Sequence, residues 1–199
     1  MLKTLNNMDK RKSLSKNEIE KLNEFKVGNK GIILEYYVNS NDINAIKLLL
    51  THYPEYVDIY NTDYFGETPL FNATETKNYE ISSLLLKNGA NVNAANFEDN
   101  TTPLMNCSFN NDNKTTNLLL QYNANPDSVN KYGDTALHIA CRNGYIEIVK
   151  LLLEHNANPY IENKFMGSNT PFKLASREGH HNIVSLLKEK MNENNCLDN

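Results

Sequence analysis

Five histidines and three cysteines are the side chains in this chain best suited to hold a metal or form a covalent intermediate. Either chemistry needs them grouped, at spacings such as Cys-x-x-Cys or His-Glu-x-x-His, and no such group occurs. His52 and His155 each follow a leucine cluster, where a helix C-terminus is expected and its dipole favours a cation. His138 ends a Thr-Ala-Leu-His run and reads as a partner for turn backbone, while His180 and His181 precede an apolar stretch. Cys107 and Cys141 sit among small apolar residues and read as inert core thiols, and Cys196 lies in a polar C-terminal stretch. No nucleophile has a base at a recognisable spacing, no GxGxxG or GxxxxGK[S/T] loop is present, and Asp and Glu are dispersed. The expectation is no catalytic residue, no metal, no cofactor and no enzyme.

Composition narrows the rest. With 199 residues, 40% hydrophobic and 22% charged, the chain is globular and long enough to bury a sizeable core. No run approaches the ~18 apolar residues of a membrane span, and the N-terminus has no apolar signal-peptide core. A net charge of -4 and a pI near 5.7 argue against a nucleic-acid binder. Three cysteines fit a reduced, intracellular and most simply cytoplasmic compartment. Asn occurs 34 times, Lys is preferred to Arg and Trp is absent, the bias of an AT-rich genome. The Asn are scattered between leucine clusters rather than gathered in a prion-like tract.

The elements that must position any site come from an internal repeat. GETPLFNA starts at Gly66, NTTPLMNC at Asn100, GDTALHIA at Gly133 and SNTPFKLA at Ser168. Their threonines, Thr68, Thr102, Thr135 and Thr170, lie 34, 33 and 35 residues apart. Leucine clusters at Leu84-Leu85-Leu86, Leu118-Leu119-Leu120, Leu151-Leu152-Leu153 and Leu186-Leu187 keep the same period, and an earlier copy ends at Leu48-Leu49-Leu50 without the Thr-Pro mark. Two independent marks on one period near 33 define stacked structural units.

Each unit reads as a helical hairpin. Thr can accept a bond from a free N–H at a helix start, and Pro at the next position has no N–H to leave unpaired. Thr68-Pro69, Thr102-Pro103 and Thr170-Pro171 therefore open first helices, and Gly144 and Gly179 break the chain before the second. Ile146, Val149, Leu152 and Leu153 give a second helix one apolar face. Gly89, Asn123 and Asn156 stand where that helix must end in a left-handed residue. In the third unit Asn113, Thr115 and Thr116 replace Ile146, Ile148 and Val149 of the fourth, which marks a soft joint.

These residues resemble the ankyrin-repeat family, whose unit is a β-turn plus two antiparallel helices with a TPLH-x-A mark. The resemblance runs from about Lys30 to Lys190 and implies an all-α solenoid. The expected organisation is a flexible basic N-terminus and capping helix over 1–29, with the helix itself at about 15–27. Five repeats follow at about 30–60, 61–95, 96–129, 130–162 and 163–190, with a polar tail over 191–199 that carries at most a short helical extension. Tyr53, Tyr56, Tyr60 and Tyr64 form a connector expected to pack over the imperfect first repeat. The family's asparaginyl-hydroxylation pattern is met by Leu85, Val92 and Asn93, but Asn91 replaces its acidic residue.

The resemblance also implies where a partner sits, at the turn tips and the concave side of the first helices. Those positions hold Tyr64, Phe65, Glu67 and Glu75 in the second repeat, and Glu98, Asp99 and Phe109 in the third. The fourth supplies Lys131, Tyr132, Asp134 and Arg142; the fifth supplies Phe165, Met166 and Arg177 on a turn about two residues longer than its neighbours. Aromatic side chains beside charges are typical interface anchors. The face is acidic in the second and third repeats and more basic beyond, so a partner with a basic patch opposite Glu67, Glu98 and Asp99 is expected. The expected function is non-catalytic protein–protein recognition by a monomer, as adaptor, inhibitor or effector, without nucleic acid or membrane. Delivery into a host cell is compatible with the similarity to stand-alone ankyrin proteins of intracellular bacteria, large DNA viruses and protozoan parasites. A regulatory subunit of an enzyme complex, or an inhibitor masking a transcription factor, is the alternative. A ligase-recruiting adaptor is disfavoured, because only about a dozen residues follow the fifth repeat.

Overall fold

The computed structural model describes residues 20, 30–52, 65–164, 167 and 169–197. The four residues of the Tyr connector and the expected capping helix lie outside these, apart from Glu20. The described residues form five helical pairs: α1 (Lys30–Asn39) with α2 (Ile43–His52), α3 (Pro69–Glu75) with α4 (Tyr79–Lys87), α5 (Pro103–Phe109) with α6 (Asn113–Gln121), α7 (Ala136–Asn143) with α8 (Ile146–Glu154), and α9 (Pro171–Arg177) with α10 (His181–Leu197). Among the described residues the one strand-like feature is an isolated antiparallel bridge between Asn163 and Asn169. No helix among them is long and apolar enough to cross a membrane. The architecture is an all-α repeat fold, as the period requires.

Helix starts follow from the threonines. Thr68, Thr102, Thr135 and Thr170 are all extended, and their hydroxyls accept from the backbone N–H of Phe71, Met105, His138 and Lys173. Proline occupies the next position in three of the four, where no donor is needed. The break between paired helices needs a left-handed residue each time. Asn41, Lys77, Asn111, Gly144 and Gly179 supply it at φ 57, 54, 54, 78 and 78°. Second helices end on Gly89, Asn123 and Asn156, also left-handed.

The main packing is between neighbours. First helices stack in the order α1, α3, α5, α7, α9, and second helices in the order α2, α4, α6, α8, α10. Ala73, Cys107, Ala140 and Ala175 are fully buried at one register of successive first helices, where only a small side chain lets the helices approach. Leu70, Leu104 and Leu137, with Ile81, Leu85, Leu119, Ile148 and Leu152, fill the space between the helical layers. Each such side chain contributes about 1.5–3 kcal/mol only when a neighbour covers it.

One stretch differs from expectation. The polar tail expected over 191–199 is helical as far as Leu197, so α10 is 17 residues long. Residues 188–197 contain no Gly or Pro to stop it, and the Met191 carbonyl accepts from the Tyr160 hydroxyl at 3.3 Å.

The third repeat carries a polarity defect. Thr115 and Thr116 on α6 are fully buried, and neither hydroxyl has a hydrogen-bond partner. The corresponding Ile148 and Val149 of α8 are buried hydrocarbon. An unpartnered buried hydroxyl costs about 1–3 kcal/mol, so α6 should open more readily than α8. Amide exchange across residues 110–120 is expected to be faster than across the equivalent part of the fourth repeat. A Thr115→Val, Thr116→Val variant should slow it and raise the melting temperature. Equal protection in the two repeats, or no gain in the variant, contradicts this account.

Candidate protein-recognition face

The turn before each of α5, α7 and α9 is built on an asparagine. Asn96, Asn130 and Asn163 recur at the repeat period. Asn96 donates its N–H to the Thr101 carbonyl at 3.0 Å, while its Oδ1 accepts from the N–H of Thr101 at 2.9 Å. Asn130 does the same with Asp134, at 3.0 and 2.9 Å, and Asn163 with Asn169, at 3.0 and 3.1 Å. One side chain thus pins both ends of its turn. The last turn runs six residues from Asn163, against five from Asn96 and four from Asn130, so it is the longest of the three.

Turns are also tied to one another. The Phe65 carbonyl accepts from the Phe97 N–H at 2.8 Å, and the Asp99 carbonyl accepts from the Lys131 N–H at 2.7 Å. Lys131 Nζ reaches back to the Glu98 carbonyl at 3.1 Å and lies 5.1 Å from the Tyr132 ring centre. The tips of the second, third and fourth repeats therefore form one continuous edge.

Aromatic rings project from that edge. Phe65 is 54% exposed and Phe97 72%, with Tyr132 at 38%. The Phe97 ring lies across Gly66, where an added Cβ would come within 2.4 Å of it. Gly66 is also left-handed at φ 78°, so two independent constraints hold glycine there. Glu98 is exposed; Glu67 is half-buried; Asp99 is half-buried and its Oδ1 accepts from the Thr101 N–H at 3.1 Å. Tyr64, Phe165 and Met166 lie outside the described residues.

The last turns of the first helices form the row that the resemblance assigns to the concave side. Glu75 closes α3, Phe109 closes α5 and is 65% exposed, Arg142 lies in the last turn of α7, and Arg177 closes α9. Asp134 is buried, unlike the exposed tip residue that sequence position suggests. Its Oδ2 pairs with Arg142 at 2.7 Å and its Oδ1 accepts from Asn163 Nδ2 at 2.6 Å, so this carboxylate joins the fourth repeat to the fifth. Tyr132, Arg142, Leu174 and Arg177 border a cleft of about 280 Å³.

Two of the histidines, His138 and His180, bind repeats together. Buried His138 accepts at Nδ1 from the Thr135 N–H at 3.2 Å and donates from Nε2 to the Asn169 carbonyl at 3.1 Å, which fixes the neutral tautomer. His180 Nε2 donates to the Arg142 carbonyl at 3.1 Å, and its ring covers Gly144. His155 Nδ1 donates to the Leu151 carbonyl at 2.9 Å. Burial pushes the Cys107 thiol far up and the Cys141 thiol up to about 12, so neither is a nucleophile at neutral pH. Among the described residues no three His, Cys, Asp or Glu side chains gather as metal ligands would.

On the opposite loops a second series of side-chain acceptors, one Asn and one Asp, runs between repeats. Asn93 Oδ1 accepts from the Asn125 N–H, and Asp127 Oδ1 from the Asn158 N–H, both at 2.8 Å. Asn93 is thus a structural acceptor.

Capped helical pairs, stacked through small residues and linked turn to turn, are the geometry that the sequence resemblance implies. The family model for ankyrin repeats matches three overlapping stretches, residues 9–96, 34–130 and 104–198. The chain belongs to the ankyrin-repeat family. No single curated protein matches it. Ankyrin repeats serve in general as protein–protein interaction modules and are typically non-catalytic.

Sequence reading missed Phe97, the most exposed large apolar side chain among the described residues, and the three turn asparagines. The repeat period could have found the asparagines. It could not have found Phe97, because Lys131 occupies the equivalent position one repeat later.

His138 links folding to pH. Burial holds its pKa below the ordinary 6.5, and a proton on Nδ1 would oppose the Thr135 N–H. A histidine with a lowered folded pKa is protonated first in the unfolded chain, so its contribution is full above about 6.5 and is lost as pH falls below that. The urea midpoint should therefore drop between pH 7.5 and 5.5, with a smaller drop for His138→Gln. The same drop in both proteins contradicts the assignment.

Proposed function

We propose that this ankyrin-repeat chain is a non-catalytic recognition module that holds a protein partner across its turn tips and concave face. The observation that carries the reading is the exposure of Phe65, Phe97 and Phe109, each more than half open to solvent on the adjacent second and third repeats, with Val129 and Tyr132 exposed at the next turn; Tyr36 on α1 and Tyr160 after α8 are the other exposed rings among the described residues. Exposed aromatics grouped on a rigid support are what interfaces use, because burying a ring with two rotatable bonds costs little entropy. Glu75 and Glu98 flank this region and favour basic residues on the part of the partner that meets it. The tips are well fitted to specific recognition, since the turns before α5, α7 and α9 are each locked by an asparagine and those of the second, third and fourth repeats are tied together, so little order remains to be imposed on binding. The module acts as a single copy, in the role of an adaptor, inhibitor or effector.

Affinity capture from a matching lysate tests this reading. Wild type is compared with a Phe65→Ala, Phe97→Ala, Tyr132→Ala variant and with a Lys150→Ala, Glu154→Ala control on the outer helix α8. Circular dichroism first establishes that all three fold. A protein retained by wild type and control but lost from the tip variant is the expected result. Retention by the tip variant contradicts the placement.

A further inference from the structure

The end positions of the first helices carry more information than a generic binding face. Glu75, Phe109, Arg142 and Arg177 occupy one register, spaced 34, 33 and 35 residues apart in sequence and one repeat apart in space. Packed helices lie about 8–10 Å apart, so the concave side presents an acidic group, an aromatic ring and two guanidiniums at intervals of about that distance. All four are open to a partner. Glu75 is exposed, Phe109 is 65% exposed, and the Arg142 and Arg177 side chains are 37% and 56% exposed. Asp134 engages only the NH2 group of Arg142, which leaves Nε and the other terminal nitrogen for an incoming acceptor. Arg177 touches Glu178 through Nε at 3.1 Å, an exposed pair of little energetic weight that a second carboxylate can displace.

We infer that this strip receives a helical segment of the partner, bearing a basic residue, an apolar residue and two acidic residues at seven-residue intervals. Seven residues of α-helix advance about 10.5 Å and return to nearly the same face, which matches the strip's spacing. An extended peptide could match the spacing with three residues per repeat, but it would find no backbone partner here. The strip consists of the ends of helices, and among the described residues the first helices offer no strand edge to augment. A helix brings its backbone already satisfied. The charge order then fixes direction: the basic end of the segment lies over Glu75 and the acidic end over Arg142 and Arg177. This deepens the recognition reading above and rests on it.

The probes are three labelled synthetic peptides of about 28 residues, equal in composition and helix-favouring outside the key positions. They carry Lys, Leu, Glu and Glu at intervals of seven, five or three residues. Fluorescence anisotropy against the full chain at low salt should show the seven-residue peptide binding at least about tenfold more tightly than the other two, equivalent to about 1.4 kcal/mol. A Glu75→Lys, Arg177→Glu chain, verified as folded by circular dichroism, should lose that preference by about tenfold. It should regain it for a seven-residue-interval peptide reading Glu, Leu, Glu, Lys, since both substituted positions are exposed and their charges alone are reversed. Tighter binding of the three-residue peptide, equal binding of all three, or no rescue by the charge-swapped peptide overturns the inference. The same double variant is also carried through the lysate capture. A partner retained by it but lost from the tip variant overturns the helical-strip inference while the recognition reading stands.

Discussion

Every helical pair in this chain has one apolar side that it cannot cover alone. Nine of the ten described helices are seven to ten residues long, and isolated pairs of that size are unstable in water, because nucleation is costly and so little surface is buried. The leucines of one pair become core only when the next pair lies against them, and the fully buried Ala73, Cys107, Ala140 and Ala175 set how closely it can lie. Stability is therefore a sum over nearest-neighbour interfaces, and any one interface can be weaker than the rest. The third repeat shows what that permits: two unpartnered threonine hydroxyls are tolerated in its core because the repeats on either side still hold it.

Stacking also dictates the polar chemistry. Each repeat must reverse direction within a few residues at both ends of its helices, and each reversal needs a left-handed residue or a pinned turn. Of the six non-glycine residues with positive φ among the described residues, five are Asn. Three further Asn clamp the turns, and Asn93 bridges neighbouring loops. Part of the Asn-rich composition thus falls where a short amide side chain is conformationally useful. The histidines act alike: His138 and His180 carry hydrogen bonds across the boundary between the fourth and fifth repeats.

Local backbone chemistry was the most legible part of the sequence. A Thr-Pro pair caps a helix wherever it stands, so Thr68, Thr102 and Thr170 disclosed their helix starts, and the period disclosed the stacking. Side-chain fate depends on what comes from the next repeat, and there the sequence said less. Asp134 sits at a position that suggests the surface, yet Arg142 and Asn163 draw it inward. Phe97 has no motif, and its ring is placed by the bare Cα of Gly66 one repeat earlier. The helical run to Leu197 was hidden because a polar, Asn-rich stretch has weak intrinsic preference and takes its structure from the helix that precedes it.

A rigid stack whose outer side is spent on loop-to-loop bonding leaves the turn tips and the concave wall as the surfaces free to vary. Hydroxyl-radical footprinting of the chain with and without its captured partner tests that division most directly. The account predicts that Phe65, Phe97, Phe109 and Tyr132 become protected on binding, while Tyr79, Tyr122 and Tyr145 on the outer helices and loops react as before. Protection of the outer tyrosines with the tip rings unchanged would contradict it.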